Sequence, residues 1–311
     1  MVRSKDIKTW ENTWGKIDWM KDSDETILNK IDLLKGEDPN VKGHAGHTPL
    51  ILAAINGRAK VIEKLVDVGA YVDEKDVSFN GWTALIWAAH KGYNDVVQKL
   101  ISLGSNPNLK NLWDYTPLMS ASANGHVRTA EILIAAGADI NAKDYYDRTP
   151  LMWAAINNHP DAIGMLFNYD ADINSKDKSD KSAVMLAAER GHKEAVIKLI
   201  ESQAELDVPV DWYERTKEIY PETIKLIDNP DKVIADLRKR MVEATLKVEK
   251  KDERTLMRKE LQNLRQKQAE LAEKLKTTTP ERMKIVERLK KISNHELRRK
   301  IAKDIREGRI Y

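Results

Sequence analysis

One motif recurs five times at a nearly constant interval through the first two thirds of the chain. Each copy opens on a hydroxyl residue followed by small and apolar residues, as in Thr149-Pro-Leu-Met-Trp-Ala-Ala155. A second motif closes each copy, as in Gly137-Ala-Asp-Ile-Asn141. The opening residues are Thr48, Thr83, Thr116, Thr149 and Ser182, at intervals of 35, 33, 33 and 33 residues. A period of this length predicts a stack of small units, each of which buries its apolar face only against its neighbours.

The residues of one copy predict two short helices. The opening hydroxyl suits a helix N-cap, and the Pro that follows it in three copies suits the first helical position, where a missing N–H costs nothing. A Gly such as Gly92 ends this helix, and a second helix follows with apolar residues at helical spacing. Gly104 and Gly137 then close their units in the left-handed conformation that ends many helices, and Asp170 and Gln203 stand at the same place in later copies.

The two motifs, in five registered copies, resemble the ankyrin repeat over about residues 36–207. The resemblance implies an all-α solenoid of helix-turn-helix units with β-hairpin fingers. It also implies that a protein partner binds in a concave groove lined by the fingers and by the first helix of each unit. The family's usual His after Thr-Pro-Leu is replaced here by Ile51, Ile86, Met119, Met152 and Met185. The hydrogen-bonding role of that His therefore does not carry over.

The repeat and a change of composition divide the chain into four parts. We expect an N-terminal helix with a capping repeat, five ankyrin repeats, a degenerate C-terminal cap and a basic helical arm, in residues 1–44, 45–207, 208–229 and 230–311 respectively. The first part also holds three Trp residues that either cover the cap or anchor in a partner: Trp10, Trp14 and Trp19.

Aromatic residues concentrate where the resemblance places the groove. Most of them lie just before an opening hydroxyl, in the expected fingers, and Trp87 and Trp153 lie on the first helices. The candidate protein-binding residues are Phe79, Trp82, Trp87, Trp113, Tyr115, Tyr145, Tyr146, Trp153, Trp212 and Tyr213. One interpretation is an exposed row of rings that binds a protein or peptide. The other is that the rings pack on one another to stiffen the fingers, with Trp87 and Trp153 in the core.

The small net charge of +3 conceals two oppositely charged parts. Residues 1–207 carry 24 Lys and Arg against 30 Asp and Glu, whereas residues 208–311 carry 28 against 19. The arm contains a run of helix formers over residues 232–276 that could self-associate as a coiled coil. Its last segment offers a row of cations to a second protein, to RNA or to an acidic surface: Arg298, Arg299, Lys300, Lys303, Arg306 and Arg309. A merely solvated charged face is the other interpretation of these cations.

No pattern of an enzyme or a metal site is present in the sequence. The chain has no Cys, no phosphate-binding Gly-rich loop and no His pair at metal-ligand spacing. His126, His159 and His192 fall at one repeat position, so the period explains them. We therefore expect no catalytic residue, no metal and no cofactor. No apolar run is long enough to span a membrane and no signal-peptide core is present, so we expect an intracellular, cytoplasmic protein.

These observations favour a non-enzymatic interaction scaffold or adaptor. In this hypothesis the groove binds one protein partner, and the basic arm docks on a second partner or an assembly. Two alternatives stay open: an RNA or ribonucleoprotein component that uses the arm, and a host-directed effector of an intracellular bacterium.

Overall fold

The computed structural model describes residues 4–43, 45–77, 80–206, 208–236 and 239. The chain divides into two units between Ile234 and Ala235, and every helix named below lies in the first. The described residues form 14 α-helices, one 3-10 helix and no strand, and residues 230–236 are helical as well, so this part of the chain is all-α. The helical arm predicted for residues 230–311 lies almost wholly outside the described residues.

Helix bounds follow the repeat. The N-terminal elements are α1 Ser4–Asn12, the 3-10 helix Trp14–Lys16 and α2 Asp24–Leu33. The first helices of the five repeats are α3 Pro49–Ile55, α5 Ala84–Lys91, α7 Pro117–Ala123, α9 Pro150–Ile156 and α11 Ala183–Ala188. The second helices are α4 Ala59–Asp67, α6 Asn94–Ser102, α8 Val127–Ala135, α10 Pro160–Asn168 and α12 Lys193–Glu201. Two further helices follow, α13 Val210–Ile219 and α14 Pro221–Asp228.

The helices form two stacked layers. First helices pack on first helices in chain order, and the second helices pack in the same order with α2 before them and α14 after them. The paired Ala residues of the first helices are fully buried between neighbours, as Ala88 and Ala89 are. Small side chains at these places allow the helices to approach closely enough to bury the larger apolar residues around them.

The predicted helix boundaries are confirmed, with one exception. The hydroxyls of Thr48, Thr83, Thr116 and Thr149 each accept a hydrogen bond from the backbone N–H three residues later. The hydroxyl of Ser182 accepts no such bond from any described residue, so the prediction of a side-chain cap is wrong there. The closing positions all have positive φ, including Gly137 at 88° and Gln203 at 63°.

Polar side chains at the closing motif join each repeat to the next. The Asn108 side chain accepts from the backbone N–H of Asp139 at 2.7 Å and donates to the carbonyl of Gly137 at 2.8 Å. Two repeats earlier, Asn40 makes the same pair of bonds with the N–H of Tyr71 and the carbonyl of Gly69. On the other side of the unit, the His126 ring nitrogen Nε2 lies 3.0 Å from the carbonyl oxygen of His90. His159 and His192 repeat that contact, which confirms that the period explains these histidines.

The two ends of the stack are covered by Trp residues. Trp10, Trp14 and Trp19 are buried, and the Trp14 indole N–H donates to the carbonyl of Asp38 at 2.9 Å. Their burial decides between the two interpretations of the N-terminal Trp residues in favour of a cap. At the other end Trp212 is buried, and its indole N–H donates to the Glu189 carboxylate at 2.8 Å.

Candidate protein-binding surface

The turns between repeats are built on a buried carboxylate or amide. In the finger that runs from Asp144 to Arg148, the backbone N–H of Asp144 donates to the carbonyl of Arg148 at 3.1 Å. The Asp144 carboxylate in turn accepts from the backbone N–H groups of Tyr146 and Arg148, both at 2.8 Å. Asn111 and Asp177 make the equivalent bonds in the neighbouring fingers. This local pairing is the reason why such short segments hold a fixed shape.

Neighbouring fingers are joined to one another through their backbones. The N–H of Tyr145 donates to the carbonyl of Trp113 at 2.9 Å, and the N–H of Lys178 donates to the carbonyl of Tyr146 at 3.0 Å. One bond within a finger and one between fingers is too few to form a strand. The described fingers are therefore hairpin-like turns. Among the described residues, one isolated antiparallel β-bridge is present, between Lys176 and Ser182.

Seven aromatic side chains of the fingers and first helices form two groups of contacting rings. We call them the aromatic surface: Trp82, Trp87, Trp113, Tyr115, Tyr145, Tyr146 and Trp153. Ring centroids are 4.6 Å apart for Trp82 and Trp87, 6.1 Å for Trp82 and Tyr115, and 5.3 Å for Tyr115 and Trp153. These are contact distances for aromatic pairs, and they link three consecutive repeats.

The other rings of the aromatic surface are the more exposed ones. Trp113, Tyr145 and Tyr146 are 46%, 50% and 47% exposed. The Tyr145 ring contacts both of the others, at centroid distances of 5.6 Å to Trp113 and 5.2 Å to Tyr146. The Lys178 ammonium lies 4.3 Å from the Tyr145 ring centroid. Half of each ring therefore packs within the fingers, and the other half is presented to solvent.

Two buried carboxylates orient the Trp side chains of the first helices. The Trp87 indole N–H donates to Asp76 at 3.2 Å, and the Trp153 indole N–H donates to Asp144 at 3.0 Å. Sequence reasoning missed both Asp residues. Their signal was available, because an Asp or Asn recurs at the first position of four fingers, at residues 76, 111, 144 and 177. The hydrogen bonds fix the ring planes, so Trp87 and Trp153 are held half-buried rather than free to rotate.

Burial favours the neutral forms of Tyr115 and of two histidines that contact the aromatic surface, His90 and His47. Burial raises the pKa of the Tyr115 hydroxyl well above its usual value, so the ring stays uncharged. Burial also lowers the pKa of His90, and Lys91 beside it adds to the shift. A neutral His90 suits its contact with the Asn124 amide, whose nitrogen lies 3.0 Å from Nδ1. At the N-terminal end, burial lowers the pKa of His47, and the Asp76 carboxylate opposes that shift.

A cavity adjoins the N-terminal end of the aromatic surface. It has a volume of about 600 Å³ and lies between the residues around Trp19 and helix α3, with Leu52 and Ile55 among its apolar lining. His47 lines it as well and packs edge-on against Trp87, with ring centroids 5.8 Å apart. His47 therefore lies between this partly apolar recess and Trp87 of the aromatic surface.

The family follows from a direct comparison. The family model for ankyrin repeats matches this chain in three copies, over residues 21–111 and 92–177, which is just over half of its length. The chain belongs to the ankyrin repeat family. A search of the curated proteins finds no match. Ankyrin repeats generally mediate protein–protein interactions, and the family is generally non-enzymatic.

Two aromatic residues predicted on an ankyrin finger are not on one. Trp212 and Tyr213 lie in helix α13, and Trp212 is only 3% exposed. The sequence of residues 211–216 resembles that of residues 144–149, which form the finger before α9. Glu214, however, stands where Asp147 adopts a left-handed conformation, and Lys217 stands where Pro150 begins a helix. Glu and Lys favour a continuous helix at both places, so the finger is replaced by α13. The Tyr213 hydroxyl donates to Asp228 at 2.9 Å.

The remaining predicted residues divide by whether the structure describes them. Phe79 lies outside the described residues, and so do the arm cations Arg298, Arg299, Lys300, Lys303, Arg306 and Arg309. The seven residues of the aromatic surface are the predicted site residues that the ankyrin stack brings together. Within the described part of the chain, no group of three or more His, Asp or Glu could hold a metal ion. Among the same residues, no helix is both long and apolar enough to cross a bilayer.

Proposed function

We propose that this ankyrin protein is a non-enzymatic interaction module, and that it binds a segment of a protein partner on the aromatic surface. The observation that carries the proposal is the gathering of seven rings from three consecutive repeats into two groups of contacting side chains, which Arg148 bridges. One group runs across three repeats, and the three rings of the other group are about half exposed. Fixed, amphipathic rings of this kind offer large contact area at little entropic cost, because they are ordered before the partner arrives.

The other interpretation is that the rings pack on one another only to stiffen the fingers. That interpretation does not explain why about half of Trp113, Tyr145 and Tyr146 is exposed. A ring whose only role was to brace its neighbours would be stabilised by deeper burial. Trp113, Tyr145 and Tyr146 instead leave apolar area in water at adjacent positions. Contiguous exposed apolar area on a soluble protein commonly marks a site of contact with another molecule.

The test is a selection followed by a comparison of variants. A library of random dodecapeptides displayed on phage is selected on the full chain, and the dissociation constants of the enriched peptides are measured by fluorescence anisotropy. We expect the double variant Trp113→Ala, Tyr145→Ala to bind these peptides at least about a hundredfold more weakly, since each ring is expected to contribute on the order of 2 kcal/mol or more. Its thermal melting temperature should change little.

Tyr71→Ala is the matched control, because Tyr71 is an exposed aromatic residue of the closing motif Gly69–Asp73 and is not one of the seven rings of the aromatic surface. It should bind the peptides as the unaltered chain does. The proposal fails if no peptide is enriched, or if the double variant and the control bind equally well. A large fall in melting temperature of the double variant would show instead that the rings serve the fold.

A further inference from the structure

Arg148 joins the two halves of the aromatic surface. Its guanidinium carbon lies 5.2 Å from the Tyr146 ring centroid and 5.6 Å from the Trp153 ring centroid. Tyr146 belongs to the exposed rings of the fingers, and Trp153 belongs to the first-helix rings. The guanidinium therefore occupies the junction, between two rings that restrict its movement, and its side chain is 26% exposed.

The hydrogen-bonding capacity of this guanidinium is mostly unused. The buried Asp177 carboxylate forms an ion pair with Arg148 at 3.6 Å from Nε, which is longer than a hydrogen bond, and Nε is buried without a hydrogen-bond partner among the described residues. Neither terminal guanidinium nitrogen of Arg148 donates a hydrogen bond within the described part of the chain. A guanidinium has five donors arranged as a planar fork, and this fork matches the two oxygens of a carboxylate.

The scarcity of acidic residues on the first helices near Arg148 favours an anionic ligand. The five first helices α3, α5, α7, α9 and α11 contain no Asp or Glu at all. The buried Asp144 and Asp177 carboxylates accept hydrogen bonds from backbone N–H groups of their own fingers through Oδ1, and Oδ2 of Asp177 is the atom that pairs with Arg148. Of the acids at the finger tips, Asp114 is paired with Lys110 at 3.9 Å and Asp180 with Lys176 at 3.2 Å, whereas Asp147, next to Arg148 in the chain, forms no ion pair with a described residue.

Three cations of the fingers and first helices have no ion-pair partner among the described residues. Lys178 lies over the Tyr145 ring and forms no ion pair with a described residue. Lys91, at the end of α5, and Arg190, just after α11, are exposed and likewise form no ion pair within the described part of the chain. Residues 1–207 nevertheless carry a net charge of −6, so the acids of the repeats are concentrated away from the first helices.

We propose that the partner is an acidic peptide segment whose Asp or Glu side chain binds the Arg148 guanidinium while its apolar residues cover the neighbouring rings. This inference rests on the proposed function, because it specifies the partner of the same surface. A carboxylate on the fork forms two parallel charge-assisted hydrogen bonds, and the flanking Tyr146 and Trp153 rings exclude water from them. The fixed position of Arg148 means that the partner's carboxylate must occupy one defined place in its sequence.

The selected peptides test this directly. They are displayed with their C-termini fused to the phage coat protein, so side chains supply the only peptide carboxylates. We expect Asp or Glu to be enriched at one position next to aromatic or aliphatic residues. Replacing that residue with Asn or Gln should weaken binding to the unaltered chain by about tenfold to a hundredfold, the range of a charge-assisted pair.

The matching change in the protein is Arg148→Gln. It should weaken binding by a similar factor, and combining it with the uncharged peptide should produce little further loss, because the two changes remove one interaction. Arg148→Lys, which keeps the charge and loses the fork, should also bind more weakly. Arg128→Gln is the control, because Arg128 pairs with Glu131 on helix α8 in the second-helix layer, and it should leave binding unchanged.

The outcomes separate this inference from the proposed function. Peptides that depend on Trp113 and Tyr145 but carry no enriched acid, or that bind Arg148→Gln as tightly as the unaltered chain, would overturn the inference and leave the proposed function standing. Peptides that bind the double variant Trp113→Ala, Tyr145→Ala as tightly as the unaltered chain would overturn both the inference and the proposed function. If Arg148→Gln fails to fold, the uncharged peptide on the unaltered chain still decides the question.

Discussion

Residues in the left-handed conformation define the finger tips at the residue scale. Asp114, Asp147 and Asp180 have φ of 56°, 60° and 59°, at the place where the earlier finger has Gly81 at 79°. An L-residue with a Cβ has a higher energy in this region than Gly, although Asp tolerates it better than most. Three consecutive repeats therefore keep a mildly unfavourable residue at the tip.

Relief of this backbone energy gives a prediction at a single residue. Asp147→Gly should raise the free energy of unfolding by about 0.5–1 kcal/mol, because Gly adopts the positive φ without a Cβ contact. Asp147→Ala should lower it, since Ala keeps the Cβ and loses the polar side chain. Urea unfolding followed by circular dichroism measures both. A Gly variant no more stable than the unaltered chain would show that the Asp147 side chain itself stabilises the finger.

The sequence predicts these positions only in part. The Thr caps and the closing Gly residues could be predicted because each acts on its own backbone within four residues. The ring-orienting bonds of Asp76 and Asp144 could not, because a residue of the finger and a Trp of the next helix meet only after both have formed. Arg148 was missed for a similar reason: its neighbours Tyr146 and Trp153 surround it only through the fold of the finger onto α9.

The terminal elements decide stability at the element scale. The 3-10 helix Trp14–Lys16 and helix α1 have no equivalent in the repeats, and they cover the apolar end that the first repeat would expose. A stack of units without such a cover leaves its terminal apolar face in water. The Trp14 side chain is fully buried in this cover.

Truncation of Trp14 tests this role. Trp14→Ala should lower the free energy of unfolding by about 3–5 kcal/mol, through the cavity it leaves and the lost bond to the carbonyl of Asp38. Met20→Ala, at an exposed position nearby, should change it by less than about 0.5 kcal/mol. Equal stability of the two variants in urea unfolding would contradict the account of the N-terminal cap.

Helix α13 shows why an element can escape prediction from the sequence. The residues before Thr216 resemble those before Thr149. Two features that prevent a continuous helix are missing, however: a residue at the finger tip that tolerates the left-handed conformation, and a Pro after the Thr. The two segments therefore share residues that do not determine the backbone conformation, and they differ at the two positions that do, where Glu214 and Lys217 replace Asp147 and Pro150. Trp212 consequently belongs to the C-terminal cover, and the aromatic surface ends at Trp153.

The whole molecule places its Trp residues in two sets with separate roles. Of the eight Trp residues, Trp10, Trp14, Trp19 and Trp212 lie buried at the ends of the stack. The other four, Trp82, Trp87, Trp113 and Trp153, belong to the aromatic surface. Repeats alone would give a uniform array; here the buried Trp residues stabilise the two ends, and we propose that the Trp residues of the middle serve recognition.

One measurement tests the central claim that recognition takes place on the aromatic surface. The chain is labelled with ¹⁵N in its tryptophan side chains, single Trp→Phe variants assign the eight indole signals, and a selected peptide is added stepwise. The account predicts that the signals of Trp82, Trp87, Trp113 and Trp153 shift or broaden on binding, while those of Trp10, Trp14, Trp19 and Trp212 stay in place. Movement confined to the terminal Trp residues, with the other four unchanged at saturation, would contradict it.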